Sequence, residues 1–393
     1  MATKDIVLAP MQEQASDAII TWYKTSKQQI FHLAGYAGTG KTTLVDYVIG
    51  KLGIRLTRVA FACYTGKAAL VLSQKAKGRY KAQTIHRLIY QLDGESKGAP
   101  KFVRKSKDDL AHLKLIVIDE WSMVDGKTLE DLKYFGIKLL LIGDQGQLPP
   151  VSKADSPELE KLRKTPDFEL TEIHRQAEGN PIIHLSMLAR TKQHIAYGWY
   201  GQDKEVLVCN RMQWESIKQH CYTSADQIIC GYNKTRKGLN QDIRQYLGFT
   251  SVLPQEGDKL ICTKNNWGKN IDDISLVNGI TGHIRRVNNN LSKDYDIRRE
   301  ATEIDFQPDF TDNQFKKLYL VNDHFTGKEY RLTPDEYSIY SEFEFGYAIT
   351  CHKSQGSQWD KLVVISETLN REEHHRWLYT AITRAAERLI LVI

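Results

Sequence analysis

Short apolar runs alternate with helix-like stretches along the chain. Four such runs lie in its first part, at residues 30–34, 56–63, 113–119 and 137–143. Parallel strands that are buried on both faces give continuous apolar runs, and crossover helices separate them. The pattern therefore predicts an α/β domain with a parallel sheet.

A second series of apolar runs follows, at residues 227–233, 258–264, 343–350, 361–366 and 388–393. It predicts a second α/β domain formed by residues 226–281 and 343–393, after a first domain at 1–175 and a connecting helical segment at 176–225. Two stretches interrupt the pattern. Residues 282–342 contain short alternating segments typical of a small antiparallel β insertion, and polar residues 91–109 are typical of a β-hairpin excursion.

Composition narrows the class of protein only slightly. Of the 393 residues, 41% are hydrophobic, and no stretch approaches the roughly 20 apolar residues of a membrane helix. The N-terminus lacks the apolar core of a secretory signal. Six scattered cysteines without metal-ligand spacing predict reduced thiols in a cytoplasmic protein. The net charge of +6 is compatible with a polyanionic partner but does not identify one.

The stretch "GYAGTGKTT" follows a predicted strand, opens a predicted helix and matches GxxxxGK[ST]. Its glycines allow backbone N–H groups to surround phosphate oxygens at a helix N-terminus. Lys41 is expected to reach the β- and γ-phosphates of ATP, and Thr42 to bind Mg²⁺. The predicted nucleotide-binding residues of this loop are Gly35, Gly38, Thr39, Gly40, Lys41, Thr42 and Thr43.

The stretch "LIVIDEWSM" supplies two acids at the end of a predicted strand. Asp119 is expected to hold Mg²⁺, and Glu120 to orient or deprotonate the attacking water. A second strand ends in "GDQGQLPPVS", where Asp144 and Gln147 are placed to face the nucleotide. Pro149 and Pro150 cannot continue a central strand.

Only one phosphate loop is present for two α/β domains, so the second domain must contribute something else at the nucleotide. Two arginines fit that role. Arg175 follows the last strand of the first domain, and Arg384 ends a helix pattern before the final strand. Guanidinium groups there would stabilise charge on the transferring phosphoryl group.

Eight stretches together resemble the motifs of superfamily-one DNA helicases, in the same order. They are "GYAGTGKTT", "CYTGKAA", "TIHRL", "DEWSM", "GDQGQLPPV", "HRQ", "TCHKSQGSQWD" and "LYTAITRA". The resemblance extends from about residue 10 to the end and favours the RecD/Dda-like branch over the UvrD/Rep-like one. It implies two RecA-like domains, a pin-like hairpin, a small β-barrel insertion and 5′→3′ translocation.

The resemblance also implies roles for individual residues. Gln147 would contact the γ-phosphate and report it to the DNA site, with Arg175 and Arg384 facing the phosphates. Gln12, rather than Gln14, would read the adenine, and Phe102 would meet the DNA fork. Gly356 would join the nucleotide site. The implied DNA-backbone contacts are Thr65, Lys67 and His86 in the first domain, and Asn233, Thr350, His352 and Lys353 in the second.

These observations predict an ATP-dependent DNA helicase that acts as a monomer on single-stranded and forked DNA, with ATP and Mg²⁺ as cofactors. Single-stranded DNA-binding or replication proteins are expected partners, and the compact length is consistent with a phage or accessory helicase. Three alternatives stay open: a single-stranded DNA translocase or loading factor without unwinding, an RNA helicase of the same superfamily, and a small-molecule kinase. No residue pattern reads the 2′-hydroxyl, so DNA rests on the resemblance.

Overall fold

A computed structural model describes residues 7–96, 99–149, 157–172, 179–271, 274–288, 299–333, 335–367 and 373–393. We number the elements in these ranges in chain order. The helices are α1 Pro10–Thr25, α2 Lys41–Leu52, α3 Gly66–Lys75, α4 Ile85–Ile89, α5 Gly126–Lys133, α6 Pro157–Lys164, α7 Pro181–Arg190, α8 Arg211–Ser224, α9 Asn233–Tyr246, α10 Asn322–Thr326, α11 Glu336–Ile339, α12 Cys351–Ser354 and α13 His374–Ile382.

The strands fall into three larger sheets and two hairpin-like pairs. They are β1 Ile30–Gly35, β2 Val59–Cys63, β3 Gln83–Thr84, β4 Tyr90–Ser96, β5 Ala99–Arg104, β6 Leu115–Asp119, β7 Lys138–Gly143, β8 Phe168–Leu170, β9 Gly198–Tyr200, β10 Val206–Cys209, β11 Gln227–Cys230, β12 Lys259–Cys262, β13 Asn266–Ile271, β14 Ile274–Leu276, β15 Thr281–Asn288, β16 Ala301–Pro308, β17 Phe315–Val321, β18 Phe343–Phe345, β19 Ala348–Thr350, β20 Trp359–Ile365 and β21 Ala385–Val392.

The first sheet is parallel, in the order β3-β2-β6-β7-β1-β8. The four apolar runs predicted as strands in the first domain form its centre. Strand β1 lies between β7 and β8, with Leu33 opposite Ile142 and Phe168. Because the carboxyl ends of parallel strands meet at one edge, this order brings the ends of β1, β6 and β7 together.

The second sheet has the order β19-β11-β20-β21-β10-β9 and is parallel except for the edge strand β9. Its last two strands come from residues 176–225, the segment predicted to be a helical connection. Strand β10 pairs in parallel with the C-terminal β21, with Val206 opposite Leu389. The second domain therefore begins before residue 226, because its sheet needs these short strands to cover β21.

A five-stranded antiparallel sheet has the order β17-β16-β15-β12-β18. It includes β12 and β18, which the apolar pattern assigned to the parallel sheet of the second domain. All four residues of β12 are buried, and a strand buried on both faces gives the same apolar run in either type of sheet. The antiparallel unit thus extends beyond residues 282–342 at both ends.

Two antiparallel pairs project from these sheets. Strands β4 and β5 pair within the polar stretch 91–109, with Leu92 opposite Phe102. Strands β13 and β14 form the second pair, between β12 and β15. All six cysteines are buried and free, as expected for reduced thiols. Among the described residues, no helix is long and apolar enough to cross a membrane.

Candidate nucleotide cleft and nucleic-acid face

The phosphate loop links β1 to α2 at the carboxyl edge of the first sheet. Gly38 and Gly40 have φ angles of 80° and 73°, which favour glycine because it lacks a Cβ. The Lys41 ammonium group donates hydrogen bonds to the carbonyl oxygens of Gly35 at 2.7 Å and Tyr36 at 2.8 Å. The loop thus folds around the lysine and presents the N-terminus of a 12-residue helix to an anion.

A cavity of about 370 Å³ opens above this loop, between the two α/β domains. It brings together residues from six separate stretches of the chain. Its lining includes Gly38, Gly40, Lys41, Thr42, Thr43, Asp119, Glu120, Gln147, Gly356 and Arg384. The structure therefore gathers most of the predicted nucleotide-binding residues in one cleft.

Asp119 and Glu120 lie at the end of β6, within this cleft. Glu120 has a φ angle of 51°, an unfavourable backbone conformation for a residue with a Cβ. Its N–H group donates to the Asp119 carboxylate at 2.9 Å. Burial and then the adjacent Glu120 carboxylate raise the pKa of Asp119. A bound cation would offset this cost, because it favours the charged carboxylate.

The donor set of the cleft suits Mg²⁺. The Thr42 hydroxyl and the Asp119 carboxylate are hard oxygen ligands in one cavity. No group of three or more His, Cys, Asp or Glu side chains in the described ranges forms a dedicated metal site. Mg²⁺ is commonly held by one or two protein oxygens together with phosphate and water, so the residues fit this ion.

The loop after β7 is anchored to the second domain on both sides of its backbone. The Leu148 N–H group donates to the Thr380 hydroxyl at 2.9 Å, and the Gln355 amide donates to the Leu148 carbonyl at 2.8 Å. The adjacent Gln147 is only 7% exposed, and its buried Oε1 atom has no hydrogen-bond partner among the residues that the structure describes. Gln147 thus faces the cleft from a loop that the second domain holds directly.

A buried polar network ties the phosphate loop to the same contact. The Tyr379 hydroxyl donates to Asp144 and accepts a hydrogen bond from the Ala37 N–H group at 3.0 Å. Arg190 forms an ion pair with Asp144, and its guanidinium group lies 4.0 Å from the Tyr36 ring centroid. Burial and then the Asp144 carboxylate raise the pKa of Tyr379, so its hydroxyl stays protonated.

Sequence reasoning missed Tyr379 and Arg190. Tyr379 stands in the quoted stretch "LYTAITRA", where only the arginine was assigned a role. Arg190 ends a helix in a segment without a recognised motif. A pairing between residues 235 positions apart, as for Tyr379 and Asp144, leaves no local pattern.

The structure describes only one of the two predicted phosphate-facing arginines. Arg384 follows α13, is 6% exposed and lines the cleft. It donates to the carbonyl oxygens of Thr380 at 3.2 Å and Ser357 at 3.4 Å, which fix the guanidinium group. Arg175 lies outside the described residues.

Gln12 lies in α1, directly against the phosphate loop. Its amide donates to the Thr39 carbonyl at 3.0 Å, and its Oε1 atom accepts from the Ala9 N–H group at 3.1 Å. Gln14, the alternative, is exposed on the same helix. The position of Gln12 is compatible with the predicted nucleotide contact.

The predicted DNA contacts of the first domain occupy different environments. Thr65 caps α3, because its hydroxyl accepts from the Ala68 N–H group at 3.2 Å. The Lys67 ammonium group lies 4.7 Å from the ring centroid of Trp359 in the second domain, and burial lowers its pKa to about 8. His86 is exposed, with its ring 4.6 Å from that of Phe102.

Phe102 lies within strand β5 rather than in a loop, and it is 40% exposed. Together His86 and Phe102 form an exposed aromatic pair at the base of the β4–β5 pair. Burial lowers the pKa of His86, so its ring is mainly neutral near pH 7. A neutral imidazole and a phenyl ring are suited to stacking on a base rather than to neutralising a phosphate.

The predicted contacts of the second domain include a network that the sequence did not reveal. The Lys353 ammonium group lies 2.6 Å from the Glu344 carboxylate, which also accepts from Arg236 at 2.9 and 3.1 Å. Arg236 in turn donates to the Asn233 side chain at 3.2 Å. Two predicted contacts, Asn233 and Lys353, are thus linked through Arg236 and Glu344, which were not predicted. We call these four residues the Glu344 network.

Thr350 and His352 lie beside this network, at the start of α12. Thr350 is the N-cap residue of that helix and is buried, whereas His352 is partly exposed. Burial lowers the pKa of the His352 imidazole. The Thr350 hydroxyl is therefore less accessible than the prediction of a DNA contact requires in this conformation.

This geometry is that of a P-loop nucleotide-binding protein with two parallel-sheet domains around one cleft. Comparison with known proteins agrees with this class. A family model for an AAA domain matches residues 7–211, and a model for a UvrD-like helicase C-terminal domain matches residues 345–392. The chain belongs to the AAA-domain family, whose model matches more than half of it, and its C-terminal part is similar to the UvrD-like helicase domain.

Several individual proteins are similar over almost the whole chain. A RecD2 DNA helicase of Deinococcus radiodurans is 27% identical over 91% of this chain, which corresponds to 46% of that relative. An uncharacterised Methanocaldococcus jannaschii protein is 26% identical over 93% of this chain and 37% of its own length. The chain thus spans less than half the length of either relative.

Among solved structures, a Bacteroides Pif1 helicase crystallised with ADP-AlF3 and single-stranded DNA is 21% identical. The alignment covers 98% of this chain and 92% of the Pif1 chain, with a TM-score of 0.58. At this identity the likeness establishes the α/β fold with its parallel sheets.

Proposed function

We propose that this chain is an ATP-driven DNA helicase that moves 5′→3′ along single-stranded DNA and separates duplex strands. The observation that carries the proposal is the cleft described above. A phosphate loop and two acids from one domain face Gly356 and Arg384 from the other. Nucleotide between such domains couples its own state to their separation.

Each residue group of the cleft has a distinct task in hydrolysis. The loop amides and Lys41 bind the phosphates, while Thr42 and Asp119 would hold Mg²⁺, which neutralises charge on the phosphate oxygens. Glu120 orients the attacking water and accepts its proton. Arg384 stabilises the charge that develops on the transferring phosphoryl group.

Coupling to DNA depends on the contacts across the two domains. Leu148 is bound to Thr380 and Gln355 of the second domain. Gln147, next to it, has an Oε1 atom in the buried wall of the cleft for which the described ranges supply no hydrogen-bond partner. A change at the γ-phosphate that moves Gln147 therefore also moves the second domain.

Two regions are proposed to contact DNA. The Glu344 network offers Asn233 and Lys353 to the phosphate backbone, where amide and ammonium groups make contacts without sequence preference. The exposed pair His86 and Phe102 offers rings on which a base can stack at a fork. Alternate grip by the two domains would move the protein along one strand.

The names of the relatives support this proposal. The Deinococcus relative is described as an ATP-dependent DNA helicase, and another Pif1 structure in the comparison describes unwinding at forked double-stranded DNA. This second structure is 20% identical to the chain, with a TM-score of 0.57. A DNA substrate for this chain rests on those names and on the motif resemblance.

The decisive experiment is unwinding of forked DNA that carries either a 5′ or a 3′ single-stranded tail. We expect ATP-dependent strand release only with the 5′ tail, and no release by Lys41→Ala. ATP hydrolysis without strand release would instead support a translocase or loading factor. Faster hydrolysis with RNA than with DNA would support an RNA helicase.

Gln147→Ala tests the coupling separately. We expect the variant to bind ATP normally and to lose most of the stimulation of hydrolysis by single-stranded DNA. Stimulation equal to that of the unmodified protein would mean that the loop after β7 has only a structural role. Phe102→Ala, compared in unwinding and in DNA-stimulated hydrolysis, tests the fork contact in the same way.

A further inference from the structure

A second cavity, of about 580 Å³, lies between the two α/β domains and shares the Gln147 loop with the nucleotide cleft. Gln147 forms part of the wall of both cavities. We call the second one the rear pocket. Its walls come from the loops after β6 and β7, from α6, from the end of α7 and from the start of α13. Both α/β domains therefore contribute to it.

The charged residues that line the rear pocket are mostly basic. Four of them are cationic and two are acidic: Arg163, Lys164, Arg190 and Arg376, and Asp144 and Glu160. Both acids are already paired, Asp144 with Arg190 and Glu160 with Lys164 at 3.5 Å. Arg376 is exposed and makes no ion pair with any residue in the described ranges. The pocket thus retains positive charge.

The uncharged groups in the wall are also suited to an anion. The Gln145 amide nitrogen and the Ser122 hydroxyl are buried, and neither has a hydrogen-bond partner in the described part of the chain. Buried polar groups are normally paired, so each of these atoms suggests a missing partner. Both can donate a hydrogen bond, and an oxyanion accepts several at once.

We propose that the rear pocket binds inorganic phosphate and is its exit route after ATP hydrolysis. This inference rests on the proposed ATPase function. Hydrolysis would leave ADP on the phosphate loop and inorganic phosphate next to Glu120 and Gln147. Displacement of Gln147 would open a path from there to the guanidinium and amide donors behind it.

The position of the rear pocket links phosphate release to domain movement. Arg376 belongs to the second domain, whereas Gln145 and Ser122 belong to the first. The donors can converge on one anion only while the domains are close together. Opening of the domains would separate them and release the phosphate, so phosphate would leave as the grip on DNA changes.

Equilibrium dialysis with radiolabelled inorganic phosphate tests the site directly. The protein is saturated with single-stranded DNA and a non-hydrolysable ATP analogue, so that the γ-phosphate position is filled. We expect one phosphate to bind, and Arg376→Gln to weaken its binding about tenfold or more, since a charge-assisted hydrogen bond is lost. Gln145→Leu removes a donor that the fold does not use and should also weaken phosphate binding.

Arg388→Gln is the matched control, because Arg388 is an exposed arginine of the same domain that does not line the pocket. It should bind phosphate as the unmodified protein does. The proposal is overturned if no phosphate binds beside the analogue, or if Arg376→Gln and Gln145→Leu both bind it normally.

The kinetics of phosphate release test the exit route. With a fluorescent phosphate sensor, Arg376→Gln should release phosphate several-fold more slowly, because the weakened pocket no longer draws phosphate out of the nucleotide cleft, while rapid quenching shows an unchanged rate of bond cleavage. Equal release rates would contradict the exit route. Failure of the analogue to bind, measured on its own, would count against the proposed ATPase function. In that case, equilibrium dialysis of phosphate with the nucleotide-free protein would test the rear pocket.

Discussion

The nucleotide cleft and the nucleic-acid face are held together by different interactions. In the cleft, buried hydrogen bonds fix most positions, as between Leu148 and Thr380 or between Ala37 and Tyr379, and the ion pair there between Arg190 and Asp144 is largely buried. On the nucleic-acid face, exposed or partly exposed side chains meet in ion pairs, as between Lys353 and Glu344. Salt screens buried groups much less than it screens charges in contact with solvent.

This difference matches the task that we propose for each region. Phosphoryl transfer requires donors in fixed positions, because a displacement of about 1 Å can cost two orders of magnitude in rate. A motor that walks along DNA must bind and release it repeatedly, so individually weak contacts are an advantage. We therefore expect changes in the cleft to act on turnover, and changes on the nucleic-acid face to act mainly on affinity.

The largest effect is expected for Arg384→Ala. Loss of the cationic group should lower DNA-stimulated ATP turnover about 10³-fold or more, since an arginine that faces the transferring phosphate typically contributes that much. Turnover at saturating ATP and DNA is the measurement. Thermal unfolding is measured alongside, since Arg384 is buried. Arg388→Ala, with an exposed guanidinium in the same domain, should retain full turnover. Equal rates for both variants would remove Arg384 from the chemistry.

A substitution of His32 in β1 tests whether neutral hydrogen bonds beneath the cleft stabilise the first domain. Its Nε2 atom accepts from the Trp121 indole at 2.8 Å, its Nδ1 atom lies 2.8 Å from the Leu162 carbonyl, and burial lowers its pKa to about 4. The unfolded chain then binds more protons between pH 4 and the ordinary histidine value of about 6.5, so stability falls as the pH is lowered through this range.

The stability advantage of the unmodified protein over His32→Gln should therefore shrink by roughly 2–3 kcal/mol between pH 7 and pH 4. Urea unfolding at several pH values measures it, with the exposed His220→Gln as the control. A difference that does not change with pH would mean that His32 is protonated equally in both states.

Tyr379→Phe removes one hydroxyl from the contact between the domains. The Ala37 N–H group and Asp144 each lose a partner, and the expected loss of stability is about 1–3 kcal/mol. DNA stimulation of hydrolysis should fall as well. Tyr347→Phe is the control, because its hydroxyl also bonds to a buried carboxylate, that of Asp258 at 3.0 Å, but lies away from the cleft. Equal stimulation in both variants would make Tyr379 purely structural.

The smallest effect is expected for Lys353→Met. Removal of one phosphate contact should weaken binding of single-stranded DNA only a few-fold and lower the slope of log affinity against log salt by about 1. Fluorescence anisotropy across a salt series measures both. The control Lys361→Met removes an exposed charge of the same domain. A slope unchanged by Lys353→Met would place this residue off the DNA path.

Sequence reasoning performed best where strand, loop and helix follow one another directly. The apolar run of β1, the loop glycines and the start of α2 are contiguous, so local geometry alone predicts a phosphate site between them. It performed less well in the second domain. Strand β10 and the edge strand β9 are only four and three residues long, too short to show a period, and they were assigned to a helical segment.

By itself, the sequence determined the two α/β domains, the phosphate loop and the acids at the end of β6. Each depends on neighbouring residues whose spacing fixes their geometry. Tertiary structure alone decided that Arg190 pairs with Asp144, that Lys67 faces Trp359 and that Glu344 joins Arg236 to Lys353. These contacts join residues on different elements, and packing of the elements, rather than any local periodicity, selects the side chains that meet.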